Sequence, residues 1–235
     1  MTHLKTEKTK PMKPTIVLLH GALGSQHQMT KIADKFKENY KVLSFDFYGH
    51  GGNRTNKAFS IPQFVEQLDR FIEENKLTKF SIFGYSMGGY VALKYSMNKS
   101  QNIDHIFTFG TKFNWTKSSS EKEVSKMNPD LIEEKVPHFA NWLKNTHGEE
   151  NWKNVLNNTG KMILSLGDKS SLAYEDLEEV SCLVTISVGE EDQLVSLEES
   201  RMAVERLNRG RLAILKGQGH SIGALKSDSF SKIIN

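Results

Sequence analysis

The chain has 235 residues, 37% hydrophobic and 25% charged, which suits one domain with a large core and excludes a disordered chain. Its 31 basic residues against 28 acidic ones leave a net charge of +3, too even to argue for a nucleic-acid or membrane partner. The single cysteine, Cys182, excludes an intramolecular disulfide, and its place in an apolar run predicts a buried core residue.

The opening MTHLKTEKTKPMKP is polar and lysine-rich, unlike a secretory signal, and no stretch reaches the roughly 18 apolar residues of a membrane span. The expected location is the cytoplasm. TIVLLH (15–20) is a short β-branched run ending at glycine, which predicts a buried strand. Residues 25–38 carry helical spacing, and YKVLSFDF (40–47) reads as a second strand. SIPQFVEQLDRFIEENK (60–76) is an amphipathic helix, capped by Ser60, with Pro62 in its first turn and Phe64, Val65, Leu68, Phe71 and Ile72 on one face. KFSIFGY (79–85) predicts a third strand, 87–98 a helix and IDHIFTFG (103–110) a fourth strand. CLVTISVG (182–189) and RLAILKG (211–217) follow as the fifth and sixth, separated by a helix near 196–209, and a last helix begins near Ser221. Alternating strands and helices imply an α/β chain with a mostly parallel sheet and helices on both faces.

From 112 to 178 the chain has no strand candidate and reads as polar helices. An insertion of that length between two strands suggests a helical lid. The expected division is a core of 1–111 and 179–235 with the lid at 112–178.

The motif richest in chemistry is Gly84-Tyr85-Ser86-Met87-Gly88-Gly89, a G-x-S-x-G that follows a predicted strand and opens a predicted helix. A turn that tight strains the serine backbone, and glycines at 84 and 88 remove side chains that would clash across it. The hydroxyl then stands above a helix N-terminus, whose free amides favour developing negative charge.

HGALGS, DFYGHGG, GYSMGG, GEEDQLV and GQGH together resemble the α/β-hydrolase superfamily, from about Pro14 to the end. The resemblance implies a sheet of about eight strands in the order 1-2-4-3-5-6-7-8. Here only 14 residues precede the first clear strand, so the leading hairpin is expected to be shortened or absent. The chain is similar to a small bacterial branch of carboxylesterases, C–C bond hydrolases and the menaquinone-pathway lyase. A serine at 86 disfavours dehalogenases and epoxide hydrolases, which use aspartate. The lyase relatives grip several carboxylates with arginines, whereas Tyr90 follows MGG here and 112–178 contains no arginine.

In such a fold the triad runs Ser, acid, His along the chain. Of the histidines after Ser86, His105 lies at a strand, His138 and His147 lie in the insertion, and His220 alone follows the last strand. Among Glu190, Glu191 and Asp192, the third can turn inward from the glycine that ends the strand, ahead of apolar Leu194 and Val195. Asp168 and Asp176 are alternatives inside the insertion. The expected triad is Ser86, Asp192 and His220. The expected oxyanion hole is made by the backbone N–H groups of Ala22 and Met87. His20 reads as a structural residue of its loop, since it precedes the serine. Asp46 and His50 lack a third ligand, so no metal is expected.

All three tryptophans, Trp115, Trp142 and Trp152, fall in the insertion. Leu23, Trp115 and Trp142 are expected to line an apolar substrate pocket, although large rings in such helices can equally serve only to pack them. The expected function is hydrolysis of a carboxylic ester or thioester of a small apolar or aromatic substrate, without metal or organic cofactor, by a monomer or homodimer. A C–C hydrolase or lyase with the same triad is the alternative, and a non-catalytic small-molecule receptor is the second.

Overall fold

The computed structural model describes residues 13–234. The readings of the amino-terminal segment and its leading hairpin fall largely on residues 1–12 and lie outside the described residues. All six expected strands form: β1 (Thr15–Leu19), β2 (Lys41–Ser44), β3 (Phe80–Tyr85), β4 (Ile103–Phe109), β5 (Leu183–Gly189) and β6 (Gly210–Leu215). They make one sheet in the order β2-β1-β3-β4-β5-β6, parallel at every pairing. Among the described residues this is the order that the resemblance implies for strands three to eight.

A parallel sheet is covered on both faces, so its strands read as continuous apolar runs, and alternate side chains feed two separate cores. Val17, Leu19, Ile82, Ile106, Val184 and Ile186 point to one. Ile16, Leu18, Phe83, Tyr85, Phe107 and Phe109 point to the other. The second face is sealed by α1 (Thr30–Phe36), through Ile32 and Phe36, and by α9 (Ser227–Ile234), through Phe230 and Ile233. The first is covered by α2 (Ile61–Glu74), α3 (Met87–Lys99) and α8 (Leu197–Arg206). Ser60 caps α2 by accepting from the Gln63 amide at 3.3 Å. Helix α3 has no polar face over most of its length, because the sheet lies on one side and other helices on the rest.

Three expected elements are shorter. The helix expected over 25–38 begins as a 3-10 turn, Gln26–Met29, with no side-chain cap, before α1. The strand expected over 40–47 leaves the ladder after Ser44: the Phe47 amide donates to His20 Nε2 at 3.0 Å, and Asp46 accepts from the Gln26 amide at 2.6 Å. After His220 a 3-10 turn, Ile222–Ala224, precedes α9.

Between β4 and β5 lie α4 (Lys117–Val124), α5 (Pro129–Lys135), α6 (Pro137–His147) and α7 (Trp152–Asp168), then a 3-10 turn over Glu175–Glu179. Thr116 and Ser119 form a capping box at α4, Asn128 caps α5, and Gly148 (φ 88°) ends α6. None of the described helices is long and apolar enough to cross a membrane. Cys182 is buried, and burial pushes its thiol up to about 11.

Candidate active site

Ser86 links β3 to α3 with φ 50° and ψ −114°, left-handed territory that an L-residue enters at a cost of about 1–3 kcal/mol. The surroundings hold it there. Its N–H donates to Phe109 O on the neighbouring strand at 2.8 Å, and its own carbonyl accepts from Gly89 N–H (3.0 Å) and from Thr111 Oγ1 (3.1 Å). A Cβ at Gly84 would enter the backbone of Gly88 and Gly89, and one at Gly88 would enter the backbone of Leu19 and His20. Only glycine lets the turn sit this close to β1.

His220 follows β6 and Asp192 follows β5. The His220 Nδ1–H donates to Asp192 Oδ2 at 2.8 Å. Asp192 Oδ1 accepts from the amides of Leu194 and Val195 at 2.8 and 2.9 Å, so the carboxylate is fully buried yet satisfied. Burial alone would raise its pKa, but the bond and charge of His220, with the two amides, outweigh burial and hold the carboxyl below its ordinary value. Glu190 and Glu191 are exposed, as expected. Gly110 (φ 65°) ends β4 beside this pair; a Cβ there would lie 3.0 Å from His220 Cε1. With Nδ1 engaged, Nε2 is the nitrogen of His220 left without a protein partner among the described residues.

Ser86 and His220 line one cavity of about 210 Å³, although no hydrogen bond joins them in this conformation among the described residues. Its walls are mainly apolar and include Ala22, Leu23, Met87 and Trp115, with Met127 from the connection between α4 and α5 and Met162 from α7. Lys112 and Glu123 are its charged members. Trp142 does not belong to it. The inward face of α6 is Ala140, Leu143 and His147, so Trp142 projects away, 38% exposed and stacked on Phe139 at 5.7 Å. The pocket role expected of Trp142 is therefore corrected. Trp152 is fully buried in the core.

Ala22 and Leu23 occupy the middle of a turn closed by Gly24 N–H to Gly21 O at 3.1 Å, and Leu23 has φ 59°. Among the described residues neither the Ala22 nor the Met87 N–H has a protein acceptor. Two free amides therefore lie on the wall that carries Ser86. His20, fully buried, donates from Nδ1 to Gly21 O (2.8 Å) and accepts at Nε2 from Phe47 N–H, tying the loop after β1 to the loop after β2. Its burial pushes the imidazole pKa down to about 4.

A family model for the alpha/beta hydrolase fold matches residues 14–160, more than half of the chain. The chain belongs to the alpha/beta hydrolase family. Across 94% of its length this hydrolase is 23% identical to the proline iminopeptidase PfmaB of Pestalotiopsis fici, covering 90% of that protein. Two plant 1-acylglycerol-3-phosphate O-acyltransferases, from Oryza sativa and Arabidopsis thaliana, the first of them described as probable, are longer, and each match, at 27% identity, covers about a third or less of their length. Among solved structures it resembles the 2-hydroxy-6-oxo-6-phenylhexa-2,4-dienoate hydrolase of Rhodococcus sp. strain RHA1, with a TM-score of 0.78 and 18% identity over 94% of this chain and 89% of that one. It also resembles MenH from S. aureus, with a TM-score of 0.74 and 21% identity over 100% and 97%. At such identities these likenesses speak to the fold.

Two polar residues of the hydrolase escaped the sequence reading. Glu199, in the first turn of α8, is buried and accepts from the amides of Phe113 (2.9 Å), Asn114 (3.3 Å) and Ser196 (3.1 Å), holding the start of the insertion. The motif Ser196-x-x-Glu199 is a capping-box signal, but nothing in it announces the two distant amides. His147, the last residue of α6, is buried and bonded at both ring nitrogens.

Proposed function

We propose that this protein is a serine hydrolase that cleaves a carboxylic ester or thioester of a small apolar or aromatic substrate through an acyl-enzyme at Ser86. The observation that carries the reading is the Asp192–His220 hydrogen bond of 2.8 Å, with His220 on the same apolar cavity as a serine held at positive φ. His220 Nε2 takes the Ser86 proton as Oγ bonds to the substrate carbonyl carbon. Asp192 fixes the ring through Nδ1 and stabilises the imidazolium. The Ala22 and Met87 amides bind the oxyanion of the tetrahedral intermediate. Its collapse breaks the carbon–oxygen or carbon–sulfur bond, and His220 returns the proton to the leaving alcohol or thiol. Water, deprotonated by His220, then attacks the acyl-enzyme and releases the acid, restoring Ser86. The helices of 112–178 act as a lid whose inner residues shape the acyl pocket.

The test is a p-nitrophenyl ester series from acetate to octanoate, with thioester and amide analogues, run on the wild type and Ser86→Ala. The expected result is ester turnover with a burst of one p-nitrophenol per chain, reduced about 10⁴-fold or more in the variant. Ester turnover that survives in Ser86→Ala overturns the reading.

A further inference from the structure

Leu23 is held in a left-handed conformation that costs a non-glycine residue about 1–3 kcal/mol and persists only where its surroundings enforce it. The carbonyl of this same residue receives a hydrogen bond from His147 Nε2 at 2.9 Å, from the last position of α6. The other ring nitrogen, Nδ1, accepts from Gly51 N–H at 3.0 Å, in the loop after β2. A carbonyl can only accept and an amide N–H can only donate, so the imidazole is neutral with its proton on Nε2. It is 2% exposed and bridges the loop after β1 to the loop after β2 from outside both, a second tie beside the one that His20 makes between them. The junction is reinforced by Asn151 Nδ2, which donates to Gly49 O at 3.2 Å.

We propose that His147 is a positioning residue for the oxyanion loop, so that the hole is armed only while the inserted helices are seated. The inference rests on the acyl-enzyme reading above. Ala22, whose amide is the one assigned to the oxyanion in that reading, precedes Leu23 in the same four-residue turn. If α6 lifts, Leu23 O loses its donor, the turn relaxes toward negative φ, and the Ala22 amide swings off its target. Seating the helices over bound substrate restores both, which couples catalysis to closure and spares the acyl-enzyme from forming in an open site.

The experiment compares His147→Gln, His147→Asn and His147→Leu with the wild type and Ser86→Ala, by steady-state kinetics on p-nitrophenyl butyrate and by thermal unfolding. A glutamine side chain offers an N–H donor and a carbonyl acceptor at nearly the spacing of the two imidazole nitrogens, so its kcat is expected within about threefold of wild type. Leucine offers neither, and kcat is expected to fall about 10²-fold with KM changed less than about threefold, the signature of support lost in the transition state. Asparagine, too short to span both loops, is expected to lose kcat about tenfold or more. A folded His147→Leu with wild-type kcat, a loss confined to KM, or a folded glutamine variant as slow as leucine overturns the proposal. Should the leucine variant fail to fold, asparagine and glutamine decide it, and equal wild-type kcat in both overturns it. If Ser86→Ala still turns over ester, the functional reading has failed; if it is inert while His147→Leu is fully active, only the positioning role has.

Discussion

Trp115 reaches the cavity beside Ser86 from the chain just ahead of α4, with Lys112 Nζ 5.4 Å from its ring centroid. On the proposed ester-hydrolase reading its indole would limit the depth open to an acyl group, since the methionines and leucines beside it can yield while a ring cannot. Trp115→Ala is expected to raise kcat/KM for octanoyl relative to acetyl p-nitrophenyl ester about tenfold, since each methylene given apolar room is worth roughly 1–3 kcal/mol at best. Trp142→Ala should leave that ratio within about twofold, its ring being outside the pocket. A shift in the second variant and none in the first would reverse the assignment. Trp142 could have been excluded from sequence. The spacing of Ala140, Leu143 and His147 marks one helical face of α6, and position 142 falls off it. His147 itself was not legible, because THG reads as a helix end and its acceptor lies 124 residues earlier in the chain. Asp192 and His220 were legible because each sits just past a strand, in a loop with glycine beside it, where backbone geometry delivers a side chain to the sheet edge.

Element by element, the insertion shares the apolar core of one sheet face, through residues such as Leu143, Trp152 and Leu156, and buried polar contacts pin its two ends. Lys112 Nζ lies 3.6 Å from Glu199 Oε2, both nearly buried, and Glu199 also accepts from the amides of Phe113, Asn114 and Ser196. Tyr90 on α3 repeats the device at the far end, its hydroxyl accepting from Leu172 N–H at 2.8 Å. Removing Glu199 would strand buried N–H donors and a nearly buried ammonium together. Glu199→Ala is therefore expected to lower the unfolding free energy by about 3 kcal/mol, with Glu199→Gln losing less because it keeps one acceptor. Urea unfolding with an unchanged slope and a lowered midpoint checks it; a midpoint within error of wild type would mean that water replaces the carboxylate. Strands β3, β4 and β5 could be read nearly to the residue, since burial on both faces demands an unbroken apolar run. Edge strand β2 and the first helix were over-read, because Phe45, Phe47 and Phe36 continue an apolar pattern while the backbone turns to bond with His20 and Gln26.

At the scale of the whole molecule, the sheet order and both cores follow from alternation of strand and helix, but the acid behaviour of the fold does not. It depends on which histidines end up dry. His20 and His50 are fully buried and His147 almost so, their rings in a row with centroids 5.2 and 5.8 Å apart. Burial is the leading cause that lowers the pKa of each, and repulsion from neighbouring imidazoles adds to it for His20 and His50. His105 on β4, half-buried, is also pushed down to about 4, by burial first and then by Arg211 and Arg209. Between the ordinary histidine value and about 4 the unfolded chain takes up protons at these sites and the folded chain does not. Since stability rises with pH wherever the unfolded state binds more protons, it must fall as pH drops through this window. His20 alone accounts for about 3 kcal/mol at 1.36 kcal/mol per pKa unit. Asp192 adds to the loss only further down, as pH falls through its own lowered value. The expected outcome is a urea midpoint near its plateau at pH 7.5 and clearly lower at pH 4.5, with a part of the difference removed by His20→Gln and the rest left to His50, His105 and His147. Equal midpoints at the two pH values would mean that the histidine row is hydrated and titrates as it does in the unfolded chain.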